Sequence, residues 1–207
     1  MSFLETCWEE REEKIYKDMF GFLGKGIYPL SVDIFNRMKA DSVDPRWLNH
    51  GVFACPPFGK RKTWTYVTSG MSNPWEADAP EDYSGMGVEF VMETDSEESW
   101  AIEVLQTLMA YNLMLAAGKM GNFPPLDYGH RVPLALSESI RTMMFVKPLN
   151  FPASFSLKSG SVDVLQVVGI TFSELAFAKE TSSEQLRDIM VSATGNLILQ
   201  KERKSFV

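Results

Sequence analysis

Histidine is the side chain most often used as a general base or metal ligand, and this chain has two, His50 and His130. A zinc site would also need cysteine or carboxylate ligands at a suitable spacing. Cys55 follows His50 by five residues, which on a strand points the two side chains to opposite faces. No C-x-x-C, H-E-x-x-H or H-x-E motif is present. We therefore expect no metal centre and no cofactor, and we interpret His130 as a hydrogen-bonded structural residue.

The remaining residues offer candidates for two kinds of hydrolase, one with a serine nucleophile and one with a carboxylate pair. The segment Gly70-Met71-Ser72-Asn73-Pro74 is the nearest match to a nucleophile elbow, but it lacks the closing glycine, and Pro74 prevents the helix that must follow. A glycosidase pair needs one carboxyl group with a raised pKa, and the acids of residues 76–82 share one loop without an evident apolar pocket. We predict that the protein is not an enzyme. A hydrolase using carboxylates and His130 is the distant alternative.

The charge pattern is more informative, because residues 63–118 hold ten acidic side chains and no Lys or Arg. Subtracting these ten from the 27 acidic residues of the chain leaves 17 against 20 Lys and Arg elsewhere. Such a window favours an electrostatic face for a basic protein, or alternatively a solvated surface that aids solubility. Its acids are Glu76, Asp78, Glu81, Asp82, Glu89, Glu93, Asp95, Glu97, Glu98 and Glu103.

Aromatic residues flank the loop acids of this window, and aromatic side chains often carry binding energy at protein interfaces. The predicted partner-binding residues are therefore Trp75, Glu76, Asp78, Glu81, Asp82 and Tyr83.

Bulk properties narrow the class of partner and the compartment. A net charge of −7 and a pI near 5.0 argue against nucleic acid, and the basic runs 60–62 and 201–204 are interpreted as a solvated turn and tail. The two cysteines, Cys7 and Cys55, indicate reduced thiols in the cytoplasm. The start of the chain has no apolar signal region, and the apolar run 104–117 is too short to span a bilayer, so we expect no membrane association.

Periodicity predicts the elements that must position these residues. Helices are expected over 3–19 and 97–117, the second with an N-cap at Asp95 or Ser96 and Glu98 in capping-box register. Two further helices are expected from Thr171 or Ser173 to 179, and from 181 to about 190. Residues 27–50 are ambiguous between helix and strand. Strands are expected over 51–55, 63–68, 87–92, 142–146, 154–157 and 162–170, the last of them central.

Three segments resemble motifs of the Suppressor of fused (SUFU) family. Residues 64–72, WTYVTSGMS, are similar to its aromatic-x-aromatic-V-[ST]-x-G-[LM]-S signature, and residues 84–90, SGMGVEF, to its S-G-x-G-x-E-[LF] segment. Residues 162–175 resemble its LQIVGVT-x-x-EL pattern, and Gly129-His130 falls where a similar turn precedes strands of the family. Glu89 and Gln166 are polar residues inside these apolar strands. Each is expected either on a solvated face or buried with a hydrogen-bond partner, and we favour a structural over a functional role for both.

The resemblance implies an α+β SUFU-like domain, with a mixed, largely antiparallel sheet flanked by helices. We expect a single domain over residues 1–207, with its best-matched part at about 50–190. The implied activity is protein binding without catalysis. Animal family members sequester zinc-finger transcription factors with two domains, of which this chain is long enough for the first, so that partner is not carried over.

Bacterial stand-alone members resemble immunity proteins of polymorphic toxin systems. An immunity protein that neutralises a basic toxin is therefore the leading expectation for this chain. A general regulatory or scaffold module is the alternative.

Overall fold

The computed structural model describes residues 2–207, and these residues form an eight-stranded mixed sheet. The strand order is β1-β2-β3-β4-β8-β6-β5, and β7 pairs with the first half of β8. Every pairing is antiparallel except that of β4 with β8. The predicted α+β fold is confirmed. The strands are β1 (Ile27–Pro29), β2 (Gly51–Cys55), β3 (Trp64–Ser69), β4 (Tyr83–Thr94), β5 (Arg131–Pro133), β6 (Thr142–Val146), β7 (Ser154–Leu157) and β8 (Gly160–Ile170).

Helices cover both faces of the sheet. The N-terminal helix consists of α1 (Phe3–Glu9), a π-helical segment (Glu10–Ile15) and α2 (Tyr16–Phe20); it packs on β2, β3 and β4. The opposite face is covered by α3 (Val32–Arg37) and α4 (Ser99–Ala116). The helices α5 (Phe172–Glu180) and α6 (Ser183–Thr194) pack on β6 and β8, beside the N-terminal helix. Within residues 2–207, no helix combines the length and apolarity needed to cross a membrane.

The two longest strands, β4 and β8, lie side by side at the centre. Leu165 and Val167 of β8 face α4, whereas Val164 and Val168 face the opposite side, so this strand is apolar on both faces. Its predicted central position is confirmed. The strand expected over 87–92 is longer in the structure, because β4 begins at Tyr83.

The local start signals of the helices have mixed outcomes. Of the two N-caps expected for α5, Thr171 is the one observed, and it forms a capping box with Glu174. Ser182 caps α6, which continues to Thr194 rather than ending near 190. The capping box predicted for α4 is wrong. Glu98 is its N-cap without a side-chain cap, and the Glu98 amide donates to the hydroxyl of Tyr66 at 2.6 Å. A tertiary contact from β3 therefore replaces the local cap.

The ambiguous segment 27–50 contains three short elements. These are the edge strand β1, the helix α3 and a 3₁₀ turn, Pro45–Asn49. Asp44 caps this turn, accepting from the Arg46 amide at 2.9 Å.

The C-terminal tail packs back onto α5 through a buried ion pair. Glu174 is fully buried and accepts from Arg203 Nη1 at 2.6 Å, from Arg203 Nη2 at 2.7 Å and from the amide of Phe206 at 3.0 Å. Burial alone would raise the pKa of Glu174, but the hydrogen bonds from Arg203, Thr171 and Phe206 outweigh it and lower the pKa.

The interpretation of the two basic runs as solvated is wrong for their arginines. The Arg203 side chain is only 8% exposed. Arg61 donates to the carbonyl oxygens of Phe20 and Pro56, both at 2.9 Å. Backbone carbonyl groups at the ends of helices and strands need hydrogen-bond donors, and one arginine side chain supplies several donors at once.

Replacing Arg203 by Met should therefore lower the free energy of unfolding by about 3 kcal/mol, because it leaves the buried Glu174 carboxylate without its cation. Lys17→Met, which breaks the exposed Lys17–Glu13 pair, is the control and should cost less than about 0.5 kcal/mol. Urea denaturation measures both. Equal losses in the two variants would contradict the assigned role of the Arg203–Glu174 pair.

Candidate functional site

A cleft of about 440 Å³ opens beside the acidic loop, residues 74–82. One wall is the turn that contains Asp44, Arg46 and Trp47, and another is the C-terminal end of α4. Of the six residues predicted to bind a partner, the cleft brings together Trp75, Glu76 and Glu81. The other three, Asp78, Asp82 and Tyr83, are exposed nearby in the chain but do not line the cleft.

Beneath the cleft lies the carboxylate of Glu89, which is fully buried in β4. It accepts hydrogen bonds from the amides of Gly70 and Ser72, at 3.0 and 2.9 Å. The hydroxyls of Ser72 and Thr68 donate to it at 2.7 and 2.6 Å. Of the two placements expected for Glu89, the structure has the buried one with partners, and the carboxylate fixes the turn that leads into the acidic loop.

Arg11, in the π-helical segment of the N-terminal helix, completes this network. Its Nη1 lies 4.0 Å from Glu89 and donates to Ser72 Oγ at 2.9 Å and to Asn73 Oδ1 at 2.7 Å. Trp8 Nε1 donates to the same Asn73 oxygen at 2.6 Å. The N-terminal helix is thereby tied to the first residues of the acidic loop.

The aromatic wall of the cleft depends on His50 and on a glycine. The His50 ring stacks on Trp75 with centroids 6.2 Å apart, and its Nδ1 lies 3.0 Å from the Arg46 carbonyl oxygen, to which it donates as the neutral ring. A Cβ at Gly70, whose φ is +136°, would lie 2.5 Å from the His50 ring. Glycine is therefore required there. Burial lowers the pKa of His50, so the ring is uncharged at neutral pH.

The charge of the cleft is negative. Its lining contains the acids Asp44, Glu76 and Glu81 and one permanent cation, Arg46, for a net charge of −2. Arg46 bridges Asp44 and Glu76, and hydrogen bonds with these two carboxylates raise its pKa. A helix C-terminus carries partial negative charge, and the last turn of α4 contains no basic residue. The cleft therefore presents a field that attracts cations.

The ten acids of the window do not form one face, which corrects the expectation of a continuous surface. Glu89 and Glu93 are fully buried, and Glu93 accepts from Thr63 Oγ1 at 2.8 Å and from Gln166 Nε2 at 3.2 Å. Gln166 is thus also buried with partners, the second of the two placements expected for it. The remaining acids divide between residues 76–82 and residues 95–103, at opposite ends of β4. At about 3.3 Å per strand residue, residues 95–98 are on the order of 35 Å from the loop acids. Glu103 lies on α4, about 20 Å along the helix axis from the end that lines the cleft.

The candidate catalytic residues make contacts that are typical of structural side chains. His130 Nδ1 accepts from the Asp127 amide at 3.1 Å, and within residues 2–207 the cleft beside His130 has no carboxylate in its lining. Ser72 contacts Arg11 and Glu89 rather than a histidine. Burial raises the pKa of Cys55 to about 12, which makes this thiol unreactive. Within the described part of the chain, no three His, Cys, Asp or Glu side chains form a metal-binding group.

Sequence reasoning missed the wall formed by the turn at 44–47. Asp44-Pro45 is a helix-start signal that could have placed this turn. However, no local pattern in the sequence indicates that this turn lies beside Trp75 or Met86 of β4, because these residues are distant from it in the chain.

Comparison with known proteins identifies the family of this fold. The family model described as Suppressor of fused protein (SUFU) matches residues 46–204. A search of curated protein sequences finds no match.

Solved structures of this family are similar in fold. Drosophila Suppressor of Fused is 17% identical with a TM-score of 0.59, over 76% of this chain and 42% of that chain. This chain therefore spans less than half of the Drosophila protein. A chain in the Sufu–Fu complex is 16% identical with a TM-score of 0.60, over 84% of this chain and 88% of that chain. A SUFU homologue from Neisseria gonorrhoeae is 21% identical with a TM-score of 0.55, over 76% and 78%.

Replacing Glu89 by Ala should lower the free energy of unfolding by at least about 3 kcal/mol, because four donors lose their acceptor and Arg11 loses a buried counter-charge. Glu97→Ala, at an exposed acid beyond the end of β4, is the control and should change it by less than about 0.5 kcal/mol. Chemical denaturation measures both. A Glu89→Ala variant as stable as the control would exclude this network as a stabilising element.

The stability of the protein should also fall as the pH is lowered from about 7 to 5. The unfolded chain protonates His50 near its ordinary pKa of 6.5, whereas in the folded state, with the lowered pKa, less of the ring is protonated at each pH. The unfolded state therefore binds the extra proton, and the slope is at most about 1.4 kcal/mol per pH unit for this one group. His50→Gln should lose this part of the slope, and His130→Gln should keep it. Unfolding curves across this pH range would reject the assignment if His50→Gln retained the wild-type slope.

Proposed function

Because the chain belongs to the Suppressor of fused family, we propose that it is a non-catalytic protein-binding domain whose docking surface is the acidic loop and the adjoining cleft. The proposal depends on one observation: acidic and aromatic side chains line the same cleft beside the acidic loop. Exposed carboxylates speed encounter with a basic protein, and a partly buried aromatic wall supplies contact area. The partner we propose is a protein with a basic surface.

A family relative supports protein binding as the activity. The structure described as the Sufu–Fu complex contains a chain of this fold with another protein. In the present chain, the rigid network under the cleft holds the loop in place before a partner arrives. Such preorganisation reduces the entropy that is lost on association.

Polar groups of the cleft also favour a protein partner. Asn73 Nδ2 and Trp75 Nε1 are buried donors with no acceptor among residues 2–207. A buried donor without an acceptor costs about 1–3 kcal/mol. A backbone carbonyl supplied by a docked segment is the kind of acceptor that would remove this cost.

Within this activity, the role we propose is that of a cytoplasmic immunity protein, with residues 1–207 acting as one SUFU-like domain. The acidic loop suits a basic toxin such as a nuclease. A general regulatory or scaffold module is the second candidate and would use the same surface. Co-expression with the product of a neighbouring toxin gene separates the two: survival of cells that otherwise die supports immunity, and death despite soluble expression of both proteins contradicts it.

The docking surface is tested by reversing the charge of its four loop acids. The variant Glu76→Lys, Asp78→Lys, Glu81→Lys and Asp82→Lys should bind the partner isolated with the wild-type protein at least about tenfold more weakly at low ionic strength. The difference should shrink as salt rises, because the Debye length falls from about 30 Å at 0.01 M to about 8 Å at 0.15 M. Surface plasmon resonance across this salt range measures the effect.

The matched control reverses four acids at the other end of β4 and changes the net charge equally. It carries Asp95→Lys, Glu97→Lys, Glu98→Lys and Glu103→Lys. This variant should bind the partner within about threefold of wild type at 0.15 M salt, where distant charges are screened. If both variants weaken binding equally under that condition, the loop is not the docking surface.

A further inference from the structure

A second cleft, of about 610 Å³, lies at the far half of the sheet. Its walls are the loop after β6, residues 147–153, and the turn that joins α5 to α6. It shares no lining residue with the acidic cleft. Four cationic side chains from four different elements line it, and they are Arg131, Lys147, Lys179 and Arg187.

The charge of this second cleft is opposite to that of the chain. Its lining contains a single acidic residue, Glu184, so its net charge is +3 in a protein of net charge −7. Within residues 2–207, Asp188, which contacts Arg187 at 3.1 Å, is the only carboxylate paired with any of the four cations. Lys147 and Lys179 are exposed, and their ammonium groups make no hydrogen bond or ion pair within the described part of the chain. Four cations thus line one cleft, and a single carboxylate pairs with one of them.

The two arginines are held in place by backbone groups. Arg131 Nη1 donates to the Ala178 carbonyl oxygen at 2.6 Å, and Arg187 Nε donates to the Lys147 carbonyl oxygen at 2.9 Å. Ser183 connects the same walls, because its hydroxyl donates to the Gly129 carbonyl oxygen at 2.8 Å. These bonds leave further N–H groups on each guanidinium. Both forks are therefore positioned before a ligand binds.

The remaining lining gives the cleft an apolar part. Val146, Pro148, Ala153 and Ala178 contribute to it, and Tyr128 closes one side with its hydroxyl donating to the carbonyl oxygens of Ala153 and Val164. A volume of this size, with apolar walls and a few convergent polar groups, is typical of small-molecule sites.

We propose that this cleft binds a small phosphate-bearing molecule, with its phosphate among Arg131, Lys147, Lys179 and Arg187 and its organic part along Val146, Pro148 and Ala153. The guanidinium fork matches phosphate oxygens in a bidentate manner, and lysine adds a point charge. With Asp188 paired to Arg187, the local charge is +2, which a phosphate dianion neutralises, whereas a single carboxylate would leave about one charge uncompensated. The proposal does not depend on the acidic loop or on its protein partner.

Isothermal titration of the whole chain with AMP, inorganic phosphate and adenosine tests the proposal. AMP should bind and adenosine should not, because the charge is the main attraction. Inorganic phosphate should compete with AMP. AMP binding tighter than phosphate assigns the site to an organic phosphate, and equal affinities assign it to the free ion. In ¹⁵N-resolved NMR spectra, AMP should shift the amides of residues 128–131, 146–147 and 179–187.

The variant Lys147→Gln with Lys179→Gln should bind AMP at least about tenfold more weakly, because it removes two charge-assisted contacts. The charge-matched control is Lys25→Gln with Lys60→Gln, at two exposed lysines outside this cleft, and it should bind within about twofold of wild type. All four lysines lie at the surface, so both variants should fold, which circular dichroism checks.

Four results would overturn the proposal. They are no binding of AMP or phosphate at millimolar concentration, equal binding of adenosine and AMP, unchanged AMP affinity in the variant at Lys147 and Lys179, and binding of an acidic peptide without binding of AMP. The last result would make the cleft a protein-docking surface instead.

Discussion

The buried carboxylate of Glu89 is the constraint from which the local structure around the acidic cleft follows. An ionised carboxylate out of water must be surrounded by donors, because its burial is otherwise very costly. The donors come from Thr68, Gly70 and Ser72, so the chain must turn tightly around the carboxylate as it leaves β3. Arg11 draws the N-terminal helix onto the same point. The cleft is rigid at its base because all of these elements meet at one charge.

A second buried carboxylate, Glu93, plays the same part at the other end of β4. It holds Thr63 at the start of β3 and Gln166 of β8, while its backbone carbonyl accepts from the amide of Leu199 in the C-terminal tail at 2.8 Å. This arrangement gives a physical meaning to the family motifs. The first motif supplies the donors to Glu89, the second contains Glu89 itself, and the third contains Gln166. The motifs therefore describe the scaffold, whereas the exposed acids of the loop lie between them and are free to suit a partner.

Local patterns in the sequence predicted most of the fold, and long-range contacts account for what they missed. Strand periodicity, the helix start at Thr171 or Ser173 and the apolar run of β8 are local, and the structure has them where we expect them. The predicted start of α4 is wrong because the hydroxyl of Tyr66, which is distant in sequence, accepts a hydrogen bond from the Glu98 amide. The acidic window does not form the expected single face. The strand pattern indicates that Glu89 and Glu93 share one side of β4, but it does not indicate that the N-terminal helix packs on that side. For the site, the cleft contains three of the six predicted loop residues, Trp75, Glu76 and Glu81, and its wall at 44–47 comes from a segment without a clear pattern.

The two clefts show why net charge is a poor guide to partners for this chain. At physiological salt the Debye length is about 8 Å, whereas a domain of this length has a radius of gyration of about 17 Å. A ligand close to one cleft therefore responds to the charges around that cleft and only weakly to those across the molecule. The acidic lining of −2 and the basic lining of +3 can consequently act independently on the same scaffold. Because the buried networks of β4 and β8 fix the walls, the charged residues of either cleft can change without rebuilding the core.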